Sequence, residues 1–116
     1  MFKTNQPKET KMTNNTNQMM RVAETIRSQI HPHVLMCSAS RNFGAFENEQ
    51  GLYGIQFKIS NTSKYKFATV RITLNGTDLY DIEIKNIRGR IVESKTDIYC
   101  DQLSSILESM WEKKNY

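Results

Sequence analysis

Three segments of the chain alternate apolar and polar residues with a period of two, and turn-forming residues separate them. This pattern narrows the fold more than any other feature, because successive side chains of a strand point to opposite faces. In Leu52–Ile59 the residues Tyr53, Ile55, Phe57 and Ile59 face one way, and Gln56 and Lys58 the other. Phe67–Leu74 directs Ala68, Val70, Ile72 and Leu74 inward, and Leu79–Lys85 does the same with Tyr80, Ile82 and Ile84. Asn61-Thr62-Ser63-Lys64 and Asn75-Gly76-Thr77-Asp78 form the turns. Connections this short join antiparallel neighbours. Keeping both apolar sets on one face pairs Leu74 with Tyr80, Ile72 with Ile82 and Val70 with Ile84. The same register sets Arg71 opposite Glu83 on the outer face, which predicts a surface ion pair worth under about 1 kcal/mol.

Helical periodicity flanks the strands. Met19, Val22, Ala23, Ile26 and Ile30 recur at three- and four-residue spacing, with Asn17 as the expected N-cap. His31-Pro32 ends this helix, because proline disfavours a helical conformation in the residue before it. His33–Ser38 reads as a short strand or the run into one, and Ala39–Gly51 as a loop. Asn86–Arg90 is a further turn, and Arg90–Lys95 a shorter fourth strand at an edge. Thr96 or Asp97 then caps a second helix whose apolar stripe is Tyr99, Leu103, Ile106, Leu107, Met110 and Trp111. The expected fold is α+β: a four-stranded antiparallel meander with an N-terminal and a C-terminal helix packed on one face.

A length of 116 residues allows one domain. Residues 1–17, built mainly from Asn, Gln, Thr and Lys, read as a disordered polar tail, and residues 18–116 as a single domain. Met12, Met19 and Met20 offer internal starts beside Met1. No apolar run approaches the roughly 20 residues of a membrane helix. Cys37 and Cys100 are too few for a disulfide scaffold, and no secretory h-region precedes them. Two free thiols in a reducing cytoplasm are expected, with a Cys37–Cys100 bridge as the alternative. The formal net charge is +4, of which Lys3, Lys8 and Lys11 against Glu9 place two units in the tail. Residues 18–116 therefore hold thirteen basic and eleven acidic side chains, so the basic excess of the domain is small.

Several local words carry a resemblance. Leu35-Met36-Cys37-Ser38-Ala39-Ser40-Arg41-Asn42-Phe43 precedes the strands. Arg71-Ile72-Thr73-Leu74-Asn75-Gly76-Thr77-Asp78-Leu79-Tyr80-Asp81-Ile82-Glu83 and Ile98-Tyr99-Cys100-Asp101-Gln102-Leu103 follow. Over about Met19 to Met110 this series resembles a group of small uncharacterised proteins of bacteriophages and prophages. Members often end in a Thr-Gly-Leu-Tyr-like tail, from which Trp111 to Tyr116 depart. The resemblance implies a phage or mobile-element origin, hence the cytoplasm of a bacterial host cell, and implies no activity.

The residues point to no enzyme. There is no phosphate-binding glycine loop, no GxSxG and no local cysteine-nucleophile signature. His31, His33, Cys37 and Cys100 lack zinc-ligand spacing and read as two surface histidines and two buried thiols, so no metal or other cofactor is expected. Asp78, Asp81, Glu83, Asp97 and Asp101 each have a structural place in a turn, on a wet sheet face or at a helix start. Three functions remain. The first is a non-enzymatic accessory protein acting on a host or phage protein, through a loop carrying Arg41, Phe43 and Phe46. The second is nucleic-acid binding by Lys58, Lys64, Lys66, Arg88 and Arg90. The third is a small enzyme or small-molecule binder with a pocket between sheet and helices. A monomer or a homodimer fits, the latter through the short edge strand and the Trp111 end.

Overall fold

The computed structural model describes residues 5–60 and 62–112, with side chains from residue 16 onward. Its elements run α1 (Asn5–Ser28), α2 (Pro32–Cys37), β1 (Arg41–Glu47), β2 (Tyr53–Ser60), β3 (Phe67–Leu74), β4 (Tyr80–Lys85), β5 (Ile91–Ile98), a 3₁₀ turn (Cys100–Gln102) and α3 (Leu103–Trp111). The five strands form one antiparallel sheet in the order β1-β2-β3-β4-β5. The fold is thus α+β, with five strands where four were expected.

The period of two sets the core. Ile55, Phe57 and Ile59 of β2, Ala68, Val70 and Ile72 of β3, and Tyr80, Ile82 and Ile84 of β4 are buried on one face. Between β3 and β4 the partners are Val70 with Ile84, Arg71 with Glu83, Ile72 with Ile82 and Leu74 with Tyr80, as the alternation requires. Onto this face α1 lays Ala23 and Ile26, Ile30 follows just past its end, and α3 lays Leu103, Leu107, Met110 and Trp111. No helix among the described residues is long and apolar enough to cross a membrane.

The expected loop at Ala39–Gly51 is largely β1, an edge strand. Its sequence, Arg-Asn-Phe-Gly-Ala-Phe-Glu, has no β-branched residue, so propensity does not announce it. A bulge also breaks its alternation: Arg41 pairs with Lys58 and Gly44 with Gln56, leaving Asn42 and Phe43 opposite Phe57. Asn42 takes the left-handed conformation there, φ 56°. Gly54 of β2 explains a further detail. A Cβ at this position would lie 2.1 Å from the carbonyl oxygen of Ile72 and 2.9 Å from the Phe46 ring, so only glycine lets β1 and β3 close on it.

His33–Ser38 is mainly the helix α2 and not a strand. Pro32 occupies its first turn, where the missing N–H costs nothing, and His31 Nδ1 accepts from the His33 N–H at 3.1 Å. A short apolar run has no period long enough to separate the two states. The N-cap expected at Asn17 is also displaced, since α1 begins at Asn5 and is already under way there. Pro7 falls in its first turn and nothing between it and Met19 breaks a helix. The tail expected over residues 1–17 falls on residues 1–4, outside the described residues, and on a backbone whose side chains up to residue 15 are outside them too.

The last strand runs to Ile98, past the expected caps Thr96 and Asp97, and α3 starts only at Leu103. A bulge opposite Asp81 accommodates Asp97 at φ 57°, where its N–H donates to Asp81 Oδ1 at 3.1 Å. Tyr99, expected in the apolar stripe, is exposed, because it precedes the 3₁₀ turn and is outside α3.

Three hairpins share one turn. In each an asparagine side chain accepts two backbone N–H groups: Asn48 from Gln50 and Leu52, Asn75 from Thr77 and Leu79, Asn86 from Arg88 and Arg90. In each the residue three positions on is left-handed, namely Gly51, Asp78 and Gly89. This is a three-residue loop closed by a bulge, and it holds successive strands in tight register.

Candidate functional site

The sheet face away from the helices is built in cross-strand rows. Arg41 of β1 stands opposite Lys58, Lys58 opposite Thr69, and Thr69 opposite Lys85. The next row is Gly44, Gln56, Arg71 and Glu83, and the third is Phe46, Gly54, Thr73 and Asp81. The first row carries three cations, and Glu83 and Asp81 of β4 stand in the second and third rows. An open groove of about 550 Å³ lies over the basic end. Its lining contains Arg41, Lys58, Arg71 and Lys85 together with Phe67 and Ile87, and no carboxylate.

Local contacts hold the two arginines in place. Arg41 Nη1 donates to Ser60 Oγ at 3.0 Å and to the Ala39 carbonyl at 3.2 Å. The expected ion pair between Arg71 and Glu83 does not form, although the two are register partners. The Arg71 guanidinium instead lies 4.1 Å above the centre of the Phe46 ring, which itself covers Gly54. Its buried Nε has no hydrogen-bond partner among the described residues.

The structure divides the basic residues singled out from sequence. Lys58 is in the groove. Arg88 and Arg90 are exposed in the β4–β5 turn, and Lys66 is exposed beside Phe67 in sequence. Lys64 lies apart: its Nζ is 2.9 Å from Glu93 Oε1, and its backbone N–H donates to the Trp111 carbonyl. Arg71 and Lys85 have the right parity to be found from sequence, but only the register puts Lys85 in one row with Lys58. Arg41 was hidden by the missing strand. Of the residues assigned to an interaction loop, Phe43 packs 5.0 Å from Phe57 with the Arg27 guanidinium 3.9 Å above it, and Phe46 lies under Arg71. Both rings have intramolecular partners, and their segment is a strand.

The carboxylate of Glu93 joins the β2–β3 connection to β5. Tyr65 Oη donates to Glu93 Oε1 at 2.6 Å, beside Lys64. Burial opposes its charge, but the hydrogen bonds from Tyr65 and Lys64 and the charges of Lys64 and Lys95 outweigh burial and hold Glu93 below the usual glutamate range. Burial first, and then Glu93 itself, push the Tyr65 hydroxyl well above its ordinary value. The lowered carboxylate contributes stability that is present above the ordinary glutamate value of about 4.3 and is lost as pH falls through the folded value. The raised phenol contributes stability that is present below about pH 10 and is lost as pH rises through the folded value. Tyr65→Phe should therefore cost about 1–2 kcal/mol near neutrality, read from the denaturant midpoint, and should weaken both pH dependences. A variant as stable as the parent at neutral pH would show that the bond contributes nothing.

Both cysteines are free and exposed, not buried as expected, because Cys37 ends the short α2 and Cys100 opens the 3₁₀ turn. Cys37 Sγ lies 3.4 Å from His33 Nε2, one helical turn back. No group of three or more His, Cys, Asp or Glu side chains able to hold a metal ion occurs among the described residues. The acidic residues near the third row are linked to turn structure: Asn75 Nδ2 donates to Asp81 Oδ1 at 2.9 Å and to Asp97 Oδ1 at 3.0 Å. Between sheet and helices, where a pocket was expected, the apolar core leaves two smaller clefts along α1, of about 180 Å³ beside Phe43 and about 240 Å³ beside Leu74 and Tyr80, and the larger groove lies on the outer sheet face. Trp111, expected at a dimer surface, is only 1% exposed. Compared with family models, curated proteins and solved structures, the chain matches none of them.

Proposed function

We propose that this chain is a non-enzymatic accessory protein that binds nucleic acid along the basic end of its open sheet face. The row Arg41–Lys58–Thr69–Lys85 carries the reading. Like charges directly opposite each other destabilise a sheet, and Arg41 faces Lys58 with no carboxylate in the groove around them. A chain of phosphates would supply the missing negative charge. The row crosses four strands, about 14 Å at the usual interstrand distance, which is long for one anion and suited to a polyanion. The resemblance to phage-type proteins, where it holds, implies that such a ligand is met in the cytoplasm of a bacterial host.

The test is fluorescence anisotropy with labelled oligonucleotides over a salt series. Three phosphate contacts predict a slope of log K against log salt of about −2 on a single strand. Absence of binding at low salt would end the proposal. The second reading, action on a host or phage protein, is supported by the two sheet edges. Within the sheet β1 and β5 each pair on one side only, which leaves backbone groups for strand addition. Binding of that kind would be largely insensitive to salt and to the charges of Lys58 and Lys85.

A further inference from the structure

The groove contains an apolar component that phosphate binding does not use. Phe67 has the same parity as Thr69 and Arg71, so it lies on the outer face, paired with Ser60 one row beyond Lys58 and Thr69. It is 56% exposed and lines the groove with Lys58 and Lys85. Ile87, 81% exposed, lines the same groove from the β4–β5 turn. The neighbouring phenylalanines differ, since Arg27 covers Phe43 and Arg71 covers Phe46. Among the described residues no ring or guanidinium is stacked on Phe67.

An exposed aromatic face set among cations is what an unpaired base stacks on, while the adjoining lysines follow the backbone. A duplex keeps its base faces inside its own stack and offers such a ring nothing. From these observations, and resting on the nucleic-acid reading above, we infer that the ligand is single-stranded and that Phe67 is a base-stacking platform. Ile87 forms the opposite apolar side of the place where that base sits. Lys58 and Lys85 hold the phosphates on either side of Thr69.

The experiment compares the full chain with Phe67→Leu, Phe67→Ala and Phe67→Tyr. The probes are a labelled oligothymidylate of about 12 nucleotides and a duplex of the same length, at equal salt. The single strand should bind at least about tenfold more tightly than the duplex. Phe67→Leu keeps the apolar volume without the ring, so it reads the stacking even where Phe67→Ala unfolds. It should lose about tenfold on the single strand, with the salt slope and the duplex affinity unchanged, and Phe67→Tyr should restore the parent affinity. Equal affinity for both probes overturns the inference and leaves nucleic-acid binding standing. A single-strand preference that survives Phe67→Leu overturns the role of Phe67. Binding to neither probe removes the nucleic-acid reading itself.

Discussion

Trp111→Ala should destabilise the protein by about 3–5 kcal/mol, a large share of the 5–15 kcal/mol typical of a domain. Trp111 is the last residue of α3, a position where helices usually fray. Here it is one of the largest fully buried side chains and belongs to the same core cluster as Phe57 and Ile84. Its carbonyl accepts the Lys64 N–H at 3.1 Å, which ties the helix end to the β2–β3 connection. Next to it Ser63 Oγ donates to Glu112 Oε2 at 2.7 Å. Truncation therefore leaves a large cavity and loosens the seam between α3 and the sheet. Thermal unfolding should move down by more than about 12 °C. The Lys64 amide should lose protection from hydrogen exchange in the same variant. A shift under about 4 °C would show that the end of α3 is not part of the cooperative core.

What the chain spells out locally and what it leaves to tertiary structure separate along physical lines. The pairing of Val70 with Ile84, of Ile72 with Ile82 and of Leu74 with Tyr80 follows from alternation plus a tight turn, because a slip by one residue would turn every isoleucine to solvent. The central strands are therefore legible. The edges are not. β1 has small residues and a bulge, and β5 has a burial pattern without alternation and two register shifts, so neither repeats cleanly at period two. The shared turn is partly visible in the sequence, since Asn75 and Asn86 each open a run of turn-forming residues. Asn48 gives no such signal, because no period-two segment precedes it.

The site follows the same division. Parity alone places Lys58, Arg71 and Lys85 on one face, and these were the readable part. Whether two of them stand in one row depends on register across β2, β3 and β4, and adding Arg41 to that row needs β1. Arg71 shows the limit of pairwise reasoning. Its register partner is Glu83, but Phe46, from a strand the sequence did not reveal, offers its guanidinium an aromatic face instead. Lys64 shows the converse. It looked like one of a hairpin's free lysines, yet Glu93, 29 residues later, holds it.

The double substitution Lys58→Glu with Lys85→Glu should abolish oligonucleotide binding, by roughly 100-fold or more at low salt, because two of the three cations in the row are reversed. The loss should exceed a simple count of two contacts. The carboxylate introduced by Lys58→Glu would stand directly opposite Arg41 and engage the remaining cation of the row. What binding survives should show a shallower salt slope, by at least about 1.4. The control is the pair Arg88→Glu with Arg90→Glu, which changes net charge equally on the exposed β4–β5 turn. If net charge alone draws the ligand, both pairs lose affinity alike, and the row has no special part. If the row is the site, the turn variants keep most of the affinity. Stability separates function from folding in the same proteins. Opposite charges across neighbouring strands add up to about 1 kcal/mol, so Lys58→Glu should leave the sheet as stable as before or slightly more so. A variant that folds at least as well and binds far worse places the cations of this row in recognition, since the fold does better without their mutual repulsion.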